Sequence, residues 1–352
     1  MPRERWTLVE RRPVNQQGRD FIIGDLHGCH ATLKTILESS RFDPERDRLI
    51  SVGDILDRGP NSIRCLELVD EPWFLMVLGN HEHEFMFQVD RLSALAGRIG
   101  LDEALRYVTG LCERDGSLKA WGFEWLFQLI ALTGKAGLDK LQRYADRMAC
   151  VPLVLVFDSG TTRWQVTHAQ LALAGSGRIP DALLDDMDRK YSGKPLSEMA
   201  AEEWQFLNTL TLALLYGNEP FWRSFVHWRD SAEAFEFRKQ ARADKLIEQL
   251  PDYIQQHDPY SPGKSRDSIT FCGHTPISAP DRVMNLIYLD TGAFLQGPLT
   301  YAVVSSAGLD HVRGEVNFEL WEARGGEIRQ LPEIQVGRGR AHWLARRAGL
   351  AD

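Results

Sequence analysis

Three short blocks in the first quarter of the chain carry side chains that can hold metal ions: Gly24-Asp25-Leu26-His27-Gly28, Gly53-Asp54-Ile55-Leu56-Asp57-Arg58-Gly59 and Gly79-Asn80-His81-Glu82. Each follows an apolar run that predicts a buried strand: Phe21 to Ile23, Leu49 to Val52 and Trp73 to Leu78. The blocks therefore fall at the carboxyl ends of strands, where open α/β sheets form their ligand crevice. Two further pieces have the same character, Thr167-His168-Ala169 behind one strand and Cys272-Gly273-His274-Thr275-Pro276 behind another. The assembled candidate ligands are Asp25, His27, Asp54, Asn80, His168 and His274. Such mixed oxygen and nitrogen donors suit divalent ions such as Mn²⁺, Fe or Zn²⁺ better than Ca²⁺. Asp54, central in the order, is the natural bridge between two ions. Two ions about 3.5–4 Å apart can clamp phosphoryl oxygens during an in-line displacement, and a water shared between them is acidic enough to be hydroxide near neutral pH.

The elements that must position these groups follow from local pattern. Trp6 to Glu10 and Arg19 to Ile23 read as strands joined by a polar turn at Asn15 to Gly18. Ala31 to Leu37 has helical spacing directly behind the first block, and Ser62 is expected to cap a helix behind the second. Strand, ligand-bearing turn and helix thus occur twice, which argues for βαβ units in a parallel or mixed sheet. Residues 84–148 and 180–250 are mainly helical in pattern, with β-rich text between them and again from Ser268 to Val304. Because the candidate ligands run from Asp25 to His274, one domain over residues 1–320 with helical insertions at about 84–148 and 180–250 fits better than two. Residues 321–352 read as a C-terminal extension.

The chain has 352 residues and a formal net charge of -8, so nothing in the balance favours a nucleic-acid backbone. Five cysteines without a CxxC pair read as reduced thiols in a cytoplasmic protein. No apolar run approaches the ~20 residues needed to span a bilayer, and the amino terminus lacks the pattern of a signal peptide. The aromatics Trp121, Phe123, Trp125 and Phe127 read as helix packing, and Cys29 and Cys272 as small packed side chains.

The blocks GDLHG, GDILDRG and GNHE, then an isolated His and GHTP, resemble the phosphoprotein phosphatase family of metallophosphoesterases, in particular the bacteriophage lambda type and its bacterial counterparts. Asp47 to Gly53, Cys65 to Leu68, Pro72 to Phe74 and Tyr288 to Ala293 strengthen the resemblance, which is continuous over residues 19–86 and 268–304 and patchy between. It implies a sandwich of two mixed β-sheets flanked by helices and a calcineurin-like catalytic domain with two divalent metal ions, Mn²⁺ first. Asp25 and His27 would hold one ion, Asn80, His168 and His274 the other, with Asp54 bridging. His81 would be the general acid, Asp57 would orient it, and Arg58 would bind the phosphoryl group. The family's second phosphate-binding Arg follows a Trp in the middle segment. Here Arg229 is chosen, one place nearer its Trp than the family pattern, with Arg223 as the competitor.

The implied function is a metal-dependent phosphomonoesterase for phosphorylated Ser or Thr in proteins, extending to Tyr, that uses a bridging hydroxide for direct hydrolysis. The alternative is a symmetrical hydrolase of dinucleoside polyphosphates. Leu215 to Pro220 followed by Trp222 resembles a segment of that branch, whereas Asp57, GNHE and GHTP depart from its pattern. A phosphate-binding scaffold without turnover is a third possibility, opposed by the paired His81 and Asp57. The partner is a phosphorylated protein or small phosphoester, not a nucleic acid or a membrane.

Overall fold

The period-two alternation of the strands explains how one chain builds two layers of core. In the computed structural model, which describes residues 8–169, 181–191, 268–283, 285–310, 315–332 and 334, strand β2 (Arg19–Ile23) places Ile22 in one apolar cluster and Phe21 and Ile23 in another. Strand β3 (Arg48–Ser51) repeats this with Ile50 against Leu49, and strand β5 (Val154–Asp158) with Leu155 and Phe157 against Val154 and Val156. Side chains of successive strand residues point to opposite faces, so each strand serves two clusters. The cluster holding Ile22, Ile50, Val52, Leu155, Phe157, Trp164, Val166, Phe271 and Ile287 draws on both sheets and fills the space between them. The other lies between the sheets' outer faces and the helices.

One sheet has the order β14-β13-β10-β2-β3-β4, where β4 is Phe74–Met76, β10 is Leu299–Ser305, β13 is Glu319–Arg324 and β14 is Glu327–Gln330. The strands β2, β3 and β4 are parallel and are linked through helices α1 (His30–Ser39) and α2 (Ser62–Glu67). The other sheet has the order β1-β5-β6-β7-β9-β8, with β1 Val9–Pro13, β6 Arg163–Thr167, β7 Ile269–Cys272, β8 Asp281–Val283 and β9 Leu286–Tyr288. Both sheets mix parallel and antiparallel pairs, and together they make the expected sandwich; β11 (Leu309–Asp310) and β12 (Glu315–Val316) pair as a separate two-stranded ribbon.

Helices α3 (Asn80–Ile99), α4 (Leu101–Arg114), α5 (Ser117–Trp121), α6 (Glu124–Thr133) and α7 (Lys135–Met148) occupy the first expected insertion. Of the second, helix α8 (Asp181–Tyr191) is described, and the rest, including Arg223 and Arg229, lies outside the described residues. Among the described residues no helix is long and apolar enough to cross a membrane.

The folded chain adds three details to the local readings. The strands on either side of the Asn15–Gly18 turn do not pair; β1 joins β5 and β2 joins β3 and β10, so the turn carries the chain from one sheet to the other. Ser62 does not cap α2 with its side chain, because its hydroxyl instead accepts the Asp57 amide at 2.9 Å. The boundary expected at residue 320 falls inside β13, which pairs with β10.

The crossover turn is fixed by Asp47. Its carboxylate accepts the Arg19 amide at 2.8 Å, the Arg19 guanidinium at 2.6 Å and the Asp43 amide at 3.0 Å. Burial opposes ionisation of Asp47, but the bonds from Arg19 and the two amides outweigh it and hold the carboxyl below its ordinary range. Asp47→Ala strands these donors and should cost about 2–4 kcal/mol in chemical denaturation at neutral pH. A carboxyl whose pKa is depressed by folding stabilises above its unfolded value of about 3.9, so the penalty should hold constant above about pH 4 and fade in stronger acid.

Candidate active site

All five ligand-bearing segments leave the carboxyl ends of strands β2, β3, β4, β6 and β7, and they meet where the two sheets come together. Backbone bonds tie the first two loops: the Leu26 and His27 amides donate to the Asp54 carbonyl at 3.1 and 2.9 Å, and Gly28 donates to Ile55 at 2.9 Å. The third loop is tied through Glu82, fully buried in the first turn of α3, whose carboxylate accepts the amides of Asp54, Ile55 and Gly79 at 2.8, 2.9 and 3.0 Å. Within the second sheet Gly273 donates to the His168 carbonyl at 2.9 Å, and the two sheets are joined by the His274 amide donating to both carboxylate oxygens of Asp25 at 3.0 Å.

Asp54 stands at the centre. Its Oδ2 lies 3.7 Å from His27 Nε2 and 4.0 Å from His81 Nε2, and its Oδ1 lies 3.4 Å from His168 Nε2. Two groups of buried donors therefore share it: His27, Asp54 and His81 on one side, and Asp54, His168 and His274 on the other. Asn80 joins the second, with its Oδ1 2.8 Å from His168 Nε2 and 2.9 Å from His274 Nδ1. All six expected ligands thus lie in one buried cluster, although Asp25 is held against the His274 backbone and His81 stands among the close donors of the first group.

The donor set fits divalent cations. His168 Nδ1 donates to the Val52 carbonyl at 2.8 Å, which leaves a lone pair on Nε2 facing Asn80 Oδ1 and, at 3.0 Å, His274 Nδ1. A single proton on His274 Nδ1 cannot satisfy this triangle of acceptors, and a cation can. His27 likewise donates from Nδ1 to the Leu56 carbonyl at 2.8 Å and turns its Nε2 lone pair to the site. Burial pulls the imidazoles down, His27 and His81 well below their ordinary value and His168 to about 4, which favours the neutral form that a metal-ligating His27 or His168 requires. The carboxyls move the other way. Burial, with the charges of Asp290 and Asp54, raises Asp25 strongly, and burial raises Asp54 to about 7. Buried carboxylates this crowded ionise only beside compensating positive charge, which divalent cations would supply.

His81 Nδ1 lies 2.7 Å from Asp57 Oδ2, and its Nε2 is buried without a hydrogen-bond partner among the described residues. Arg58 places Nη1 3.2 Å from His27 Nε2 and its guanidinium carbon 4.5 Å above the Phe294 ring, which also meets the His27 ring edge to face at 4.6 Å. Of the guanidinium positions expected from sequence, Arg58 is at the site, and Arg229 and Arg223 lie outside the described residues.

Sequence reading missed several neighbours. Trp125 Nε1 donates to Asp57 Oδ1 at 2.7 Å, and the Trp121 ring packs on His81 at 4.9 Å, so both are site residues as well as helix packing. A buried indole N–H needs an acceptor, which was the available hint for Trp125. Glu82 and Asp290 stand inside stretches that carry the resemblance but were given no role, and nothing in the local text pointed to Phe294.

The description "calcineurin-like phosphoesterase" belongs to a family model that matches residues 21–247. The chain is a member of that family. Among curated relatives, serine/threonine-protein phosphatase 1 of Salmonella typhimurium is 52% identical over 62 residues, 18% of this chain and 29% of that enzyme. Serine/threonine-protein phosphatase 2 of Escherichia coli is 48% identical over 150 residues, 42% of this chain and 57% of that one. A symmetrical bis(5'-nucleosyl)-tetraphosphatase of Chromohalobacter salexigens is 48% identical over 219 residues, covering 61% and 62%. The chain therefore spans less than two thirds of each of these relatives. A solved cold-active protein-tyrosine phosphatase of a Shewanella species aligns over 94% of this chain and 84% of its own at 12% identity and a TM-score of 0.46.

In this calcineurin-like phosphoesterase, Gly273 is the point of contact between the sheets that side-chain volume would disturb most directly. A Cβ there would fall on Asp25 Oδ1 and lie 2.6 Å from a Val52 methyl. Gly273→Ala should weaken Mn²⁺ binding by about tenfold or more, the usual effect of displacing a ligand's support. Isothermal titration of the metal-free protein measures it.

Proposed function

We propose that the chain is a metal-dependent phosphomonoesterase, with phosphorylated Ser or Thr side chains of proteins as its substrate class and Tyr as an extension. The observation that carries this reading is the buried His81–Asp57 pair, with His81 Nε2 turned toward Asp54 beside two groups of metal-ligating side chains. Asp25, His27 and Asp54 would hold one divalent ion, and Asp54, Asn80, His168 and His274 a second, Mn²⁺ before Fe or Zn²⁺. When bound, the ions supply Lewis-acid charge for the phosphoryl oxygens and for the attacking water.

The chain's own residues do the rest. Arg58 presents a planar fork that matches two phosphoryl oxygens, a geometry that Lys does not offer. Phe294 beneath it and the Gly122 carbonyl, which accepts the Arg58 amide at 3.2 Å, limit how far the fork can turn. Asp57 favours the imidazolium form of His81 and fixes its tautomer, so the proton to be delivered sits on Nε2 when the leaving oxygen departs. Arg229, or Arg223 in its place, would add a second guanidinium.

Metal-free protein should not hydrolyse p-nitrophenyl phosphate and should recover with Mn²⁺. His81→Asn should lower kcat on alkyl phosphates by about 10²–10⁴-fold, the usual worth of acid–base catalysis, and much less on p-nitrophenyl phosphate, whose leaving group hardly needs a proton. Equal losses on both substrates remove His81 from the role.

A second reading, hydrolysis of dinucleoside polyphosphates, is favoured by the Chromohalobacter relative, which matches over a longer stretch than the two phosphatases do. Measured side by side, phosphopeptides should give the higher kcat/KM than diadenosine tetraphosphate. The reverse order, by a wide margin, transfers the assignment to the second reading and leaves the metal chemistry intact.

A further inference from the structure

The carboxylate of Asp57 is gripped from both sides. One oxygen takes His81 Nδ1 and the other takes Trp125 Nε1, each at 2.7 Å. The main chain of Asp57 is also fixed, at φ 67° with its amide on the Ser62 hydroxyl, so the torsion left to set is that of the carboxylate plane. An indole N–H is a single directional donor, and it fixes that plane as a flexible or two-proton donor would not.

The indole is itself held by the element that carries His81. The Trp125 ring stacks on Phe85, with centroids 6.1 Å apart and planes 17° apart. Phe85 follows His81 by four residues on α3, one turn along the same face. The contacts close a ring: His81 to Asp57, Asp57 to Trp125, Trp125 to Phe85, and Phe85 back to His81 through the helix. Four residues before Trp125, Trp121 meets the His81 ring at 4.9 Å. Between the two tryptophans, Gly122 at φ 74° takes the Arg58 amide on its carbonyl, and a Cβ on it would lie 2.8 Å from that nitrogen. The α5–α6 segment therefore touches Asp57, Arg58 and His81 at once.

We infer that Trp125 is a positioning residue for proton delivery: its indole N–H sets the plane of the Asp57 carboxylate, and through it the direction in which His81 Nε2 points. The inference rests on His81 being the acid. It makes a piece of the helical insertion part of the catalytic apparatus.

Trp125→Phe keeps the ring that stacks on Phe85 and deletes only the donor. Its kcat on an alkyl phosphate should fall about tenfold, the size expected for one hydrogen bond to a charged group, while turnover of p-nitrophenyl phosphate changes less than about twofold. In an Asp57→Asn background the same substitution should add almost nothing. An equal loss on both substrates, no loss on either, or an undiminished loss in the Asp57→Asn background overturns the inference.

Proton NMR of the metal-free protein decides the point without turnover. The His81 Nδ1 proton should exchange with water at least about tenfold faster in Trp125→Phe than in the unmodified chain. Unchanged exchange overturns the inference. Absence of turnover on every phosphoester by the unmodified protein would instead sink the phosphatase reading, and the exchange comparison would still decide whether Trp125 orients the pair.

Discussion

Burying Asp54 at the junction of two sheets is the constraint from which the rest of this molecule follows. A carboxylate 3% exposed is costly unless nearly every atom around it is used. The Asp54 carbonyl takes two amides of the first loop, its amide is taken by Glu82, and its Oδ1 takes the His81 amide at 3.0 Å. Its oxygens then face three histidines. The three loops of the parallel strands are thus built around one residue, and the second sheet is brought to it by His168 and His274. The carboxyls concentrated there, with Asp25, Asp54, Asp57 and Asp290 all within the field of the Arg58 guanidinium, are what make divalent ions the natural counterpart.

The backbone bears part of the cost. Seven non-glycine residues among those described have positive φ, and five of them are His27, Asp54, Asp57, Arg58 and His274. Each such conformation costs of order 1–3 kcal/mol, and the surrounding bonds must hold it in place. Glu82 with its three amides and Ser62 with one do much of that holding. This is why the Ser62 hydroxyl is spent on Asp57 and not on its own helix.

The cluster of candidate ligands was legible in the sequence because glycine-framed turns behind apolar strands are local signals, and their order along the chain suffices to assemble them. The strands β2, β3, β4, β6 and β7 were readable for the same reason. What escaped depends on distant partners. The polar turn before Arg19 looks the same whether the flanking strands pair or part. Strands β13 and β14 read as an extension because the pairing of β13 with β10, and of β14 with β13, is decided by tertiary contacts. Trp125 and Phe294 have the composition of packing residues, and only the fold shows an indole aimed at Asp57 or a phenyl ring under Arg58. The middle segment that bears Arg223 and Arg229 adds nothing to this comparison, since it lies outside the described residues.

The inter-sheet core has a role that its hydrophobicity does not advertise. His27, Asp54 and Asn80 are mounted on one sheet and His168 and His274 on the other, so the gap between the two halves of the metal-ligating cluster is set by the side chains packed between the sheets, among them Ile22, Val52, Phe157, Trp164 and Phe271. Those residues act as a spacer, and the affinity of the proposed site for divalent ions would become a gauge of interior packing. An altered methyl group deep in the sandwich, far from any substrate, would then register first as a change in metal selectivity, because ions of different radius tolerate different gaps.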